Sequence, residues 1–167
     1  MLKIVQNLRS MNFSRLMEVY TEGNMEHGAE HYPHESLMQQ IIYAENDFYQ
    51  YLDEVFFKQA GAHYALWQVE GAYTSALRLE PYDDGLLLSA LETRPDARCQ
   101  GYASQLLNAV VTELSISGNG TLYSHVSKSN VQSLSVHRKS GFEIFKDYAV
   151  YLDGSVAHNC YTLRIKY

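Results

Sequence analysis

Arg98, Cys99, Gln100, Gly101, Tyr102 and Ala103 stand between a short apolar run, Gly85 to Leu91, and a segment in which Leu106, Leu107, Val110, Val111 and Leu114 recur at helical spacing. A tight turn from a strand into a helix leaves several backbone N–H groups unpaired. It aims them, together with the positive end of the helix dipole, at whatever negative group lies above. A phosphate or pyrophosphate suits that position. Gly101 lets the backbone approach a ligand closely, Ala103 keeps the helix start slim, and Arg98 adds a positive charge at the rim. A hexapeptide of this kind also occurs in ordinary strand-to-helix loops, so a second segment is needed to decide its meaning.

That second segment begins 32 residues beyond Arg98, with Asn130 followed by Ser133, Val136, His137, Lys139, Gly141 and Phe142. Together the two segments resemble the signatures of the GCN5-related N-acetyltransferase (GNAT) superfamily, from about Ala62 to Phe142 and more loosely to Tyr167. In that family an Asn opens a helix, a small residue follows three positions later, an aromatic acid stands seven after the Asn, and Gly-Phe closes the segment. His137 occupies the position that most often carries Tyr.

The resemblance implies the GNAT fold, an α/β (α+β) architecture with a mostly antiparallel mixed sheet that splays between two parallel strands. It also implies acetyl-coenzyme A as co-substrate. Cofactor contacts are then expected from Leu91, Glu92 and Thr93 at the end of the preceding strand. The pyrophosphate turn supplies Arg98, Cys99, Gln100 and Gly101, and the helix start supplies Tyr102, Ala103 and Ser104. Asn130, Ser133, His137 and Lys139 contribute from the second signature.

Composition agrees with one domain over residues 1–167. A chain of this length can bury a substantial core, and 46% apolar and aromatic residues argue against long disorder. The net charge of −6 speaks against nonspecific nucleic-acid binding, which needs a basic face. It leaves room for a local positive pocket, with Arg94, Arg98, Lys128, Arg138 and Lys139 near the two signatures. Cys99 and Cys160 are too few for a disulfide framework and lack zinc-site spacing. With no signal-like start and no membrane-length apolar segment, a cytoplasmic location without membrane attachment is expected.

Residues 1–60 read as helical, and the resemblance implies that they form an acceptor-side lid fused to the cofactor-binding core at 62–167. Phe13 to Tyr20 and Glu35 to Lys58 carry helical periodicity, and Thr21 to His34 reads as a loop because of its Gly, His and Pro content. Within it His27, His31 and His34, beside Glu30 and Glu35, have metal-like spacing. Gly28 and Pro33 oppose the continuous helix a shared site would need, and no metal is expected. Ala62 to Glu70, Tyr73 to Leu79 and Leu86 to Glu92 read as antiparallel strands. A helix from Ala103 to Ser115, a strand from Thr121 to Val126 and a helix from Asn130 to Ser140 follow. Glu143 to Leu152 and Asn159 to Lys166 then form a hairpin around Asp153 and Gly154.

Acyl transfer to an amine needs alignment, a proton acceptor for the amine, donors for the developing oxyanion and a proton for the departing sulfur. A backbone N–H near Leu91 or Glu92 is the oxyanion candidate. By its place in the second signature, His137 is the candidate acid. His125 shares a strand face with Tyr123 and Ser127 and lies where some amine-acetylating members carry a glutamate, making it the first candidate base. Glu92 and Glu80 stand in reserve. The acceptor is expected to be the amine of a small molecule or peptide. Two alternatives stay open: a protein N-terminal acetyltransferase, and a non-catalytic acyl-coenzyme A sensor. Among the 14 tyrosines, Tyr43, Tyr49 and Tyr51 could line an acceptor pocket or a homodimer contact.

Overall fold

Alternating burial and tight polar turns organise the chain around one seven-stranded sheet, flanked by helices. The computed structural model describes residues 1–167. Its strands are β1 (Leu2–Val5), β2 (His63–Val69), β3 (Ala72–Tyr82), β4 (Gly85–Thr93), β5 (Thr121–Ser127), β6 (Glu143–Lys146), β7 (Ala149–Val150), β8 (Val156–Ala157) and β9 (Cys160–Lys166). The main sheet runs β1-β2-β3-β4-β5-β9-β6. Every neighbouring pair in it is antiparallel except β4 and β5, which run parallel. Their register spans only Leu86↔Leu122 to Leu88↔Ser124; beyond it both strands continue unpaired with each other, which is the expected splay.

Five α-helices complete the fold: α1 (Phe13–Val19), α2 (Thr21–His31), α3 (Leu37–Glu54), α4 (Tyr102–Ser117) and α5 (Val131–Lys139). Side-chain oxygens of Asn12, Ser36 and Asn130 accept from backbone N–H groups three residues on, capping α1, α3 and α5. Strand alternation divides the core between the two faces of the sheet. On one face Leu106, Leu107 and Val110 of α4 and Leu134 of α5 pack on Leu77, Leu79, Leu88, Leu122 and Leu163. Each such fully buried side chain contributes roughly 1.5–3 kcal/mol. On the other face Leu16, Tyr20, Leu52 and Phe56 pack on Tyr64, Leu66 and Ala76.

Two sequence expectations are corrected. Thr21 to His31 is the helix α2 and not a loop, continuous through Gly28. A Cβ at Gly28 would lie 2.6 Å from the carbonyl oxygen of Gln40, so this glycine permits close approach of α3. His27 and His31 stack on that helix with centroids 4.0 Å apart, and the His27 Nε2 lies 3.2 Å from Asp47 of α3. The second correction concerns the C-terminal hairpin. The turn at Asp153 and Gly154 joins the short pair β7 and β8 outside the main sheet, while β6 pairs with β9. No helix is long and apolar enough to cross a membrane.

Candidate active site

The cradle is built at the turn into α4. Cys99 and Gly101 both have left-handed backbone angles, φ 61 and φ 81, which rotate successive peptide planes until their N–H groups converge. From Arg98 through Ser104 no backbone N–H donates to another group of the protein; the first helical bond at this end is Gln105 N–H to Gly101 O at 3.0 Å. A run of free donors at the start of a 16-residue helix is a site for an anion. Gly101 has nothing closer to its missing Cβ than Gln105 Nε2 at 3.8 Å, so backbone conformation, not crowding, requires glycine there.

A cleft of about 870 Å³ extends from this cradle between the end of β4 and α5. Leu91, Glu92 and Thr93 form its β4 wall, and Arg98, Cys99, Gly101, Tyr102, Ala103 and Ser104 its floor. Asn130, Ser133 and Lys139 line it from the α5 side. Sequence reading missed Val131, Gln132 and Ser135 on the same wall, whose signal was helical spacing around Asn130. Gln100 does not line the cleft; its side-chain amide donates to Asp96 O at 3.3 Å. The Arg98 guanidinium is committed as well, 2.7 Å from Glu22 of α2 and 3.9 Å from Glu92, so it ties α2 to the loop and adds little free charge at the rim.

Beside the cleft β4 is irregular. Its register with β3 steps from Ser89↔Arg78 to Glu92↔Ala76, leaving Ala90 and Leu91 opposite the single residue Leu77, and Ala90 takes φ 50. The Tyr64 hydroxyl donates to Tyr20 and the Tyr20 hydroxyl donates to Ala90 O, each at 2.7 Å, holding this bulge in place.

A free-donor cradle and a splayed parallel pair are the parts the two sequence signatures call for, and the bulge at the mouth of the splay is added by the structure. The model of the acetyltransferase (GNAT) family matches residues 6–142. The chain belongs to that family. No functionally curated protein matches it significantly. Its fold is similar to that of the ribosomal-protein-S18-alanine N-acetyltransferase of Escherichia coli, at 18% identity and TM-score 0.59, covering 99% of this chain and 94% of that one. PH1933 of Pyrococcus horikoshii shares 16% identity at TM-score 0.64, covering 100% and 99%. PseH of Campylobacter jejuni, an N-acetyltransferase solved with acetyl-coenzyme A, shares 15% at TM-score 0.58, covering 99% of each chain.

Against the GNAT frame the three catalytic candidates fall in different surroundings. His137 does not reach the cleft. It is 1% exposed, packs edge-on against Phe142 and points Nδ1 at Ser133 O, 2.8 Å away. Nδ1 therefore carries the proton, and Nε2 is a buried lone pair with no partner. Burial lowers its pKa below the usual 6.5, so the ring is neutral at pH 7 and cannot serve as the expected acid.

His125 sits on the sheet face opposite α4, between the rings of Tyr82 and Tyr151 at 5.3 Å each. Neither ring nitrogen has a partner, and burial, assisted by the Lys146 charge, lowers its pKa. Glu92 lines the cleft half-exposed. Burial raises its pKa and nearby Arg98 opposes that rise.

The two histidines set a pH dependence of stability. Both have folded-state pKa values below 6.5, so beneath that pH the unfolded chain binds protons that the folded chain refuses. Stability is therefore full above 6.5 and falls as pH drops toward the folded values. His137→Asn keeps an N–H for Ser133 O and removes one titration. Denaturant midpoints of this variant should fall less between neutral and mildly acidic pH than those of the parent protein. Equal slopes would place the proton uptake elsewhere.

Proposed function

We propose that this protein is an N-acetyltransferase that moves an acetyl group from acetyl-coenzyme A to a primary amine held in the same complex. The run of free N–H groups from Arg98 to Ser104, opening onto the β4–β5 splay, carries this reading. Acetyl-coenzyme A brings an already activated thioester and a pyrophosphate, and the residues present fit both ends. The cradle and Lys139 offer positive potential to the pyrophosphate, while the unpaired edges of β4 and β5 offer hydrogen bonds to the amides of the pantetheine arm.

The backbone of Ala90 and Leu91, released from both neighbouring strands, is the proposed source of the oxyanion donor. His125 is the proposed base. Its imidazole is neutral at pH 7 and has an unused lone pair, reached when the Tyr151 ring swings aside. Ser133 and Ser135 are hydroxyl side chains on the α5 wall that can hydrogen-bond the departing sulfur while it takes up the proton lost by the attacking nitrogen. Residues 1–60 act as an acceptor-side lid within a single domain. This fits the contacts of Tyr20 with the bulge and of Glu22 with Arg98. The two cysteines are unpaired, which suits the reducing cytoplasm.

Calorimetric titration with acetyl-coenzyme A, alongside dephosphorylated and des-acetyl analogues, tests the reading; absence of saturable binding would end it. His125→Ala should leave acetyl-coenzyme A affinity unchanged and slow turnover by about 100-fold, within the usual range for a general base. A variant with full activity across pH would move the base to Glu92 or Glu80. The sensor reading draws on the burial of His137, which removes the family's usual acid position from the cleft. Saturable binding with no turnover on any amine would favour it.

A further inference from the structure

On the acceptor face of the sheet one cation, Arg78, has a buried donor left without a hydrogen-bond partner. Arg94, Arg98 and Arg164 each hold a carboxylate within 4 Å, whereas the part-buried Arg78 of β3 pairs with none. Its Nε is buried without a hydrogen-bond acceptor. The guanidinium lies 5.1 Å from the centre of the Tyr51 ring and 5.7 Å from that of Phe56. Ring faces offset part of the cost of withdrawing a guanidinium from water, but they leave its planar fork of donors unused. Arginine does not escape by losing its proton, so the remaining cost stands until an anion arrives.

Sheet register shows where that anion would sit. Arg78 pairs with Ser89 of β4, the first residue past the β4–β5 pairing, and so lies one step from the bulge at Ala90. Glu80, two residues along the same face of β3, is buried and accepts from the Ser89 hydroxyl at 3.2 Å. Across the splay, His125 occupies the corresponding face of β5. The parallel register brings His125 level with Ser89 and hence with Arg78, so the face presents the guanidinium and the imidazole on either side of β4 next to the bulge, with the Glu80 carboxylate two residues further along β3.

We infer that the acceptor is a small zwitterion, an amino acid or a compound of that kind, whose carboxylate docks on Arg78 while its amine faces Glu80 and His125. The inference rests on the acetyl-transfer reading above and names its substrate class. The reaction balances as thioester plus ammonium giving amide, thiol and one proton: the ammonium proton passes to His125, and the proton the nitrogen loses on forming the C–N bond goes to the departing sulfur as the C–S bond breaks. A bidentate guanidinium–carboxylate contact would fix the distance between the anchored end and the attacking nitrogen, which is the alignment such a transfer requires.

The test measures acetyl-coenzyme A-dependent release of free thiol with matched acceptors. Each of a set of α-, β- and γ-amino acids is compared with its amide and with its decarboxylated amine. The protein should prefer free carboxylates by at least about tenfold in kcat/KM, the scale of one charge-assisted contact. Arg78→Met should erase that preference, and Arg78→Lys should restore part of it as a point charge. Both variants should bind acetyl-coenzyme A with unchanged affinity. Equal use of carboxylate and amide by the parent protein would overturn the inference. So would an Arg78→Met variant that slows every acceptor alike, or binding of acetyl-coenzyme A without acetylation of any amino acid. Failure to bind acetyl-coenzyme A at all would instead overturn the acetyl-transfer reading, and the calorimetry separates that outcome from the others.

Discussion

Gly101→Glu is expected to lower acetyl-coenzyme A affinity by at least about 100-fold, equivalent to about 2.8 kcal/mol at 1.4 kcal/mol per tenfold. Two effects add. At φ 81 a residue with a Cβ is strained by about 1–2 kcal/mol, which biases the turn away from the geometry that converges its N–H groups. The new carboxylate would also compete for the free donors between Arg98 and Ser104, and repel a pyrophosphate approaching them. Gly101→Ala separates these effects. Its Cβ meets only the Gln105 side chain, at an ordinary contact distance of 3.8 Å, so alanine brings the backbone strain alone and should weaken binding by about tenfold. Calorimetry on the three proteins checks the order, and wild-type affinity in the glutamate variant would remove the cradle from the account.

Gly85→Val should destabilise the fold by about 3 kcal/mol or more, at the upper end of overpacking costs. At the first residue of β4 a Cβ would lie 2.0 Å from the carbonyl oxygen of Thr121 and 2.9 Å from its carbon. Both atoms belong to the β5 backbone, so no side-chain rotation relieves the clash. The parallel pairing of β4 and β5 is only a few residues long and begins at Leu86, so the strands would separate where the splay needs them joined. For a domain of this size the expected fall in Tm is about 6–12 °C, at 2–4 °C per kcal/mol. A thermal midpoint within about 2 °C of the parent would show that the sheet can shift to accommodate the side chain.

The turn into α4 and the start of α5 were readable because their geometry is local. A strand, a glycine turn and a helix start are consecutive in the chain, and the capping Asn130 sets α5 by its own side chain, accepting from Ser133 N–H at 3.0 Å. What the sequence concealed was set by tertiary contact. Gly28 and the polar composition of residues 21–31 disfavour a helix in isolation. The close approach to Gln40, with Asp47 engaged by His27 and Tyr32, supplies the stabilisation from α3. His137 misled for a related reason. Its position in the second signature fixes its place on α5, yet the direction of its ring is decided by Ser133 O one turn back and by Phe142. Arg78 drew no notice in the sequence, because the lack of a carboxylate partner shows only in three dimensions.

The strand order has a bearing on biosynthesis. β9 follows β5 and β6 in the chain yet lies between them, bonded to both. While the ribosome is still making the segment after β8, β5 lacks one of its two neighbours and β6 has none in the main sheet. The half of the molecule that carries β5 and α5 must then wait, as an unfinished edge exposed to other chains, until a strand distant in sequence arrives to close it.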